Sequence, residues 1–217
     1  ICQDITVQLD ASGNVSITGA DIDGGSYDNG IIVSIVASPD SFDCTNVGPN
    51  NVTLTVTDNA GLSDDCIAVV TVEDNIPPIA VCQDITVQLD ATGNASILAS
   101  ALDGGSSDNC NITFTASQTD FDCTHIGVNT VTLTVTDDGG NMATCEAIVT
   151  VEDLVAPTAI CQDVIVYLDV NGNAIVPASD IDNGSSDACG IVSMSLSPSV
   201  FDCSYIGDNT VVLTVVD

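Results

Sequence analysis

Three stretches of this chain nearly copy one another. ICQDITVQLD (residues 1–10) returns as VCQDITVQLD (81–90) and as ICQDVIVYLD (160–169). Phe42-Asp43-Cys44 returns as Phe121-Asp122-Cys123 and Phe201-Asp202-Cys203. NNVTLTVTD (50–58) returns as NTVTLTVTD (129–137) and NTVVLTVVD (209–217). The period is 79 or 80 residues. A unit of that length can enclose a core of its own, so the period marks an array of small domains rather than a solenoid. The units run 1–76, 77–155 and 156–217. Asp217 aligns with Asp137, so the third unit is expected to be incomplete and to lack its last strand.

Within a unit the pattern reads strand after strand. In the second, ITVQLD (85–90), ASILA (95–99), NITFTAS (111–117), VTLTVTD (131–137) and MATCEAIVTVED (142–153) are separated by Gly-, Asn- and Asp-rich turns. Period-2 alternation, β-branched residues and turns about every ten residues predict an all-β sandwich. Nothing sustains a 3.6-residue period. The units meet at VEDNIPP (72–78) and VEDLVAP (151–157), where proline predicts a stiff, extended connection and hence a rod.

Charge narrows the function. The chain has 31 Asp and Glu, no Lys, no Arg and one His, a formal charge of −31. Without cationic side chains it has nothing to displace counterions from a nucleic acid or to bind an anionic membrane surface. It also lacks most of the usual acid–base and oxyanion-stabilising groups, so no enzyme is expected. Hydrophobic residues make up 45 %, enough for a core, which must be aliphatic because Trp is absent and aromatics are 3 %. No apolar run approaches the ~20 residues of a membrane-spanning helix, so no direct membrane insertion is expected.

Ten Cys point to an oxidising compartment. No two stand within the two-to-four-residue spacing usual in zinc sites, which favours disulfides over thiolate ligation. His125 stands where unit 1 has Asn46 and unit 3 has Tyr205, and is read as an exposed turn residue rather than a catalytic base.

The opening Cys followed by Asp-Ile-Thr-Val, the Asp108-Asn109-Cys110 loop, Val-Gly-x-Asn-Thr-Val and the Thr136, Asp137, Gly140, Asn141, Cys145 hairpin together resemble the hyalin-repeat module. That is an immunoglobulin-like domain found in tandem in extracellular proteins, and acidic arrays of this kind are similar to those of very large surface proteins of gliding and marine bacteria. The similarity spans the chain; unit 1 departs from it with Gly30 where unit 2 has Cys110. The resemblance implies tandem immunoglobulin-like sandwiches and an adhesive or scaffolding role at the bacterial cell surface. The module's arrangement also implies the pairs Cys2–Cys66 and Cys82–Cys145, joining first and last strands. It further implies Cys110–Cys123 and Cys189–Cys203 within their units, which leaves Cys44 and Cys161 over.

A sandwich of this type brings the start of the first strand and the B–C and F–G loops to one pole, and the A–B and E–F turns to the other. Glu73 and Asp74 of the first linker would then approach Asp84, Asp103, Asp108, Asp137 and Asp138. Glu152 and Asp153 of the second would approach Asp163, Asp180, Asp182 and Asp187. Converging hard oxygen ligands suit Ca²⁺, the expected cofactor; the alternative is a solvated acidic surface.

The leading expectation is a non-enzymatic structural stretch of an extracellular adhesin stalk or filament, disulfide-linked and Ca²⁺-stiffened. Its partners would be adjacent repeats or other copies of the protein. The alternatives are an array whose loops bind a glycan or a protein, an accessory array beside a catalytic domain, and a filament subunit completed by a donated β-strand. A binding unit should carry one divergent, aromatic-bearing loop, whereas the three units have nearly the same loops.

Overall fold

The computed structural model describes all residues from Ile1 to Asp217. Repeat 1 contains β1 (Ile5–Gln8), β2 (Asn14–Ser16), β3 (Ile32–Ser38), β4 (Ser41–Asp43), β5 (Gly48–Asp58) and β6 (Ser63–Glu73). Repeat 2 runs through β7 (Ile85–Gln88), β8 (Asn94–Ser96), β9 (Ile112–Ala116), β10 (Asp120–Asp122), β11 (Gly127–Asp137) and β12 (Met142–Glu152). Repeat 3 holds β13 (Asn173–Ile175), a one-turn helix α1 (Ala178–Ile181), β14 (Ser193–Ser197), β15 (Val200–Asp202) and β16 (Val212–Val216).

Alternation along the two long strands builds the core. Successive side chains on a strand point to opposite faces, so Val52 and Leu54 of β5 and Ala68, Val70 and Val72 of β6 all point inward. All five are at most 1 % exposed, and they pack with Leu9, Ile17, Ile22 and Phe42. The strands order as β1-β6-β5-β3 in one sheet and β2-β4 in the other, an immunoglobulin-like arrangement. Repeat 2 follows with β7-β12-β11-β9 and β10-β8. The first strand runs parallel to the last: Ile5 lies opposite Val70 and Gln8 opposite Glu73, and Ile85 opposite Val149 and Gln88 opposite Glu152. The run 95–99 is shorter as a strand than its composition predicts. Pairing with β10 covers only Asn94–Ser96, and the chain then turns into a 3₁₀ helix at Ala99–Leu102 that carries Leu102 into the interior.

Repeat 3 pairs β13 with β15 and β14 with β16 around Val176, Ile181 and Leu213. The segment equivalent to β1 and β7 forms no strand here, and Val164–Tyr167 are exposed, Ile165 by 84 %. A cleft of about 890 Å³ lies beside it, lined by Cys161, Ile165, Leu168, Val176, Phe201 and Val211 among others.

The chain divides into two compact units that cut across the sequence repeats. One comprises Ile1–Gln83, Leu98–Ser117 and Val131–Ala147; the other comprises Asp84–Ile97, Gln118–Thr130 and Ile148–Asp217. Each unit contains one junction between repeats and the disulfide that crosses it.

Candidate functional site: the junctions between repeats

Four disulfides form. Cys2–Cys66 and Cys82–Cys145 tie the entry of a repeat to its last long strand. The other two correct the expectation drawn from the module. Cys110 does not pair with Cys123, and Cys189 does not pair with Cys203. Cys44 of repeat 1 bonds Cys110 of repeat 2, and Cys123 of repeat 2 bonds Cys189 of repeat 3. The reason lies in the sandwich itself. The B–C loop and the E–F turn sit at opposite poles of one domain, so a cysteine in each cannot reach the 4.4–6.8 Å Cα separation of a disulfide. The turn of one repeat and the loop of the next do meet, with Cα–Cα distances of 5.5 Å and 5.1 Å. Gly30 therefore deprives Cys44 of nothing, since its partner belongs to the following repeat. Cys161 and Cys203 are free and exposed.

The seat of each staple is built from two turns. In the first, Asp10 Oδ1 accepts from Ser12 N (2.8 Å), Ser12 Oγ (2.6 Å) and Asn14 N (3.1 Å). The Ser12 hydroxyl above all, with the two backbone N–H groups, holds the Asp10 carboxyl below its ordinary range. In the second, Asp43 Oδ1 accepts from Thr45 N and Thr45 Oγ1, and Asn46 Oδ1 accepts from Asp43 N, which closes a 3₁₀ turn over Cys44–Asn46. Gly13 lies between the two turns at φ +73°. A Cβ there would stand 2.7 Å from both Cys44 Sγ and Asn109 O. Gly93 meets Cys123 Sγ and Gly172 meets Cys203 Sγ in the same way, at 2.7 Å and 2.8 Å. His125 does more than decorate an exposed turn: its Nδ1 replaces Asn46 Oδ1, accepting from Asp122 N at 3.1 Å, and its ring meets Phe121 edge-on.

The acidic residues sort into distinct roles. At the first junction Asp74 is 3 % exposed; its Oδ1 accepts from Ile76 N (3.1 Å) and Asn109 Nδ2 (3.3 Å). Carboxylate oxygens of Asp74 and Asp108 lie within 4.8 Å of one another and of Cys110 Sγ, whose thiol is consumed in the staple. Asp137, also buried, accepts from Asn141 N and Nδ2, and the same Nδ2 donates to Asp74 O at 2.8 Å. Asp138 Oδ2 accepts from Asn111 Nδ2 at 3.0 Å. At the second junction Asp153, Asp187 and Cys189 form the corresponding cluster, all half-buried.

The remaining expected ligands are not part of these two clusters. Asp84 Oδ1 accepts from Ile148 N, just as Asp4 Oδ1 accepts from Val69 N, so this aspartate fastens the last strand of its own repeat. Asp163 occupies the same position in repeat 3. Asp103 and Asp182 close their own loops by accepting from Ser106 and Ser185. Glu73 accepts from Gln8 Nε2, Glu152 O receives Leu89 N, and Asp180 O accepts from Gln162 Nε2. The spacing of carboxylates alone did not separate these Asx turns and strand fasteners from the junction pair. A serine or threonine two or three residues after Asp10, Asp23, Asp43 and Asp103 is the signal that could have done so.

No protein-family model matches the chain, and no curated protein matches it. Among solved structures, it is similar to protocadherin gamma B7 extracellular cadherin domains 1–4 at TM-score 0.31 and 14 % identity, covering 91 % of this chain and 62 % of that one. Human mucin-like protocadherin EC1-2 is matched at 0.31 and 15 %, covering 70 % and 96 %. The fibronectin(III)-like modules of Clostridium thermocellum CbhA are matched at 0.26 and 10 %, covering 70 % and 91 %. The chain thus spans less than two thirds of the gamma B7 structure. No helix is long and apolar enough to cross a membrane. Four disulfides place the folded chain in an oxidising environment.

Proposed function

We propose that this chain is a non-enzymatic structural array from an extracellular, surface-attached or filamentous protein, of the hyalin-repeat kind its motifs resemble. The cross-repeat staples carry the reading. Each junction has two covalent connections, the backbone and a disulfide, so the linker cannot act as a free hinge. Ca²⁺ bound by junction carboxylates would add to that restraint and screen a chain with no cation of its own. Its partners would be adjacent repeats or further copies at a bacterial surface.

The test is single-molecule stretching. With the bridges intact, the shortest covalent path runs through the disulfides, so unfolding a repeat should release only a small part of its contour length. After reduction each complete repeat of ~80 residues should release up to about 26–29 nm, at 3.3–3.6 Å per residue. Equal extensions before and after reduction would remove the staples from any mechanical role.

A second reading is a filament subunit whose third repeat takes up another molecule's strand beside the exposed segment 164–168. Repeats 1 and 2 fill the equivalent place with β6 and β12, each carrying one cysteine and an alternating apolar face. The occupant would be a strand of that pattern, added parallel to 164–168 and bonded to Cys161. Identifying which polypeptide carries the cysteine bonded to Cys161 in the native assembly separates the readings. A covalently continuous chain supports the stalk, and a second molecule supports the filament.

A further inference from the structure

Two buried oxygens at the first junction have no partner: Asp74 Oδ2 and Asn109 Oδ1. They belong to side chains already in contact, since Asn109 Nδ2 donates to Asp74 Oδ1. Asp108 places a carboxylate oxygen within 4.8 Å of Asp74, and its Oδ2 accepts from Cys110 N. A carboxylate withdrawn from water needs compensation, and this chain contains no Lys or Arg to supply it. The surrounding donors are already used: Asn141 Nδ2 goes to Asp74 O and Asp137 Oδ2, and Asn109 Nδ2 also reaches Asp10 O at 3.3 Å. Two carboxylates and an amide oxygen, one carboxylate buried and half satisfied, make a hard donor set of the type that divalent calcium takes.

We propose that Asp74 Oδ2, Asp108 and Asn109 Oδ1 bind one Ca²⁺ at the first junction, water completing its shell, and that the second junction binds the ion more weakly. The difference rests on one residue and one degree of burial. Ala188 stands where repeat 2 has Asn109, which removes the amide oxygen, and Asp153 is half-buried where Asp74 is enclosed. The staple fixes the loop that brings Asp108 and Asn109 to Asp74, because Cys110 follows them directly. The ion would therefore sit beside the disulfide and lock the same loop by a second means. Its purpose in stiffening rests on the array reading, whereas its binding does not.

The experiment is calorimetric titration of the full 217-residue oxidised chain with Ca²⁺ at constant ionic strength, with Mg²⁺ as comparison. One site per chain should saturate well before any other. Asp74→Asn should abolish it, Asn109→Ala should weaken it by at least about tenfold, and Ala188→Asn should strengthen the second site. Peptide mapping for an intact Cys44–Cys110 bond shows that each variant has folded. Graded, non-stoichiometric uptake that is the same in wild type and Asn109→Ala would overturn the proposal. That result would leave the stapled array standing, and loss of the staples with Ca²⁺ binding retained would do the reverse.

Discussion

Cys44 and Cys110 are 66 residues apart in sequence and belong to different repeats, yet their Cα atoms lie 5.5 Å apart, joined by a disulfide. Non-reducing peptide mapping should recover Cys44 with Cys110 and Cys123 with Cys189. By the loop-entropy relation, a bridge closing 66 residues contributes about 4 kcal/mol. Cys44→Ser should lower the stability of the first unit by roughly that amount and leave Cys2–Cys66 in place. Recovery of a Cys110–Cys123 peptide would contradict the structure.

Gly13 should be intolerant of any side chain for two separable reasons. Its φ of +73° is strained for an L residue, and its Cβ would overlap Cys44 Sγ and Asn109 O at 2.7 Å. Gly25, at φ +97° with open space around it, isolates the first effect. Gly25→Ala should cost about 1 kcal/mol, and Gly13→Ala a further 1–3 kcal/mol. Equal losses in chemical denaturation would mean that the turn does not press on the staple.

Acid should loosen the turns that seat the staples. Asp10, Asp43, Asp90 and Asp122 all have carboxyls held below the ordinary aspartate value of 3.8, chiefly by the hydroxyls of Ser12, Thr45, Thr92 and Thr124. A depressed carboxyl contributes its full stability above the unfolded-state value and loses it as pH falls through the folded-state value. The contribution should therefore be intact at pH 5 and fade below about pH 3.8. Melting temperature against pH should show an acid limb, flattened by Ser12→Ala with Thr45→Val. An unchanged limb in that double variant would assign the acid sensitivity to other groups.

A peptide of residues 138–153 should occupy the cleft of repeat 3. It carries the sequence that fills the same place in repeat 2, including Cys145, and Asp163 stands ready to accept a strand N–H as Asp84 does from Ile148. Under oxidising conditions it should bond Cys161, leave Cys203 free, and raise the unfolding temperature of repeat 3. A peptide with Ala147, Val149 and Val151 changed to Ser should neither bond Cys161 selectively nor raise that temperature. Equal capture by Cys203 would show thiol chemistry without strand docking.

Much of the fold was legible in residues 1–217 because its determinants are local. Alternation in TLTVTD and AIVTVED decides which face of a strand is apolar, and turn residues such as Asp10, Gly13 and Asn14 decide where the chain reverses. The near-identity of ICQDITVQLD and VCQDITVQLD sets the number of units. The first-to-last-strand bridges are implied by the resemblance to the module, and the parallel pairing of Ile5–Gln8 with Val70–Glu73 brings Cys2 and Cys66 together inside one repeat.

Only the tertiary structure decided which repeat each remaining cysteine serves. A repeating sequence presents Cys110 with equivalent partners one period apart, Cys44 and Cys123, and nothing local distinguishes them. The opposite poles of the sandwich make that choice, because a pole can reach its neighbour's loop and cannot reach its own far end. The same holds for the carboxylates. Asp74 and Asp84 look alike in sequence, but one is buried with an unpartnered oxygen and the other fastens a strand, because burial depends on which distant hairpin covers a residue.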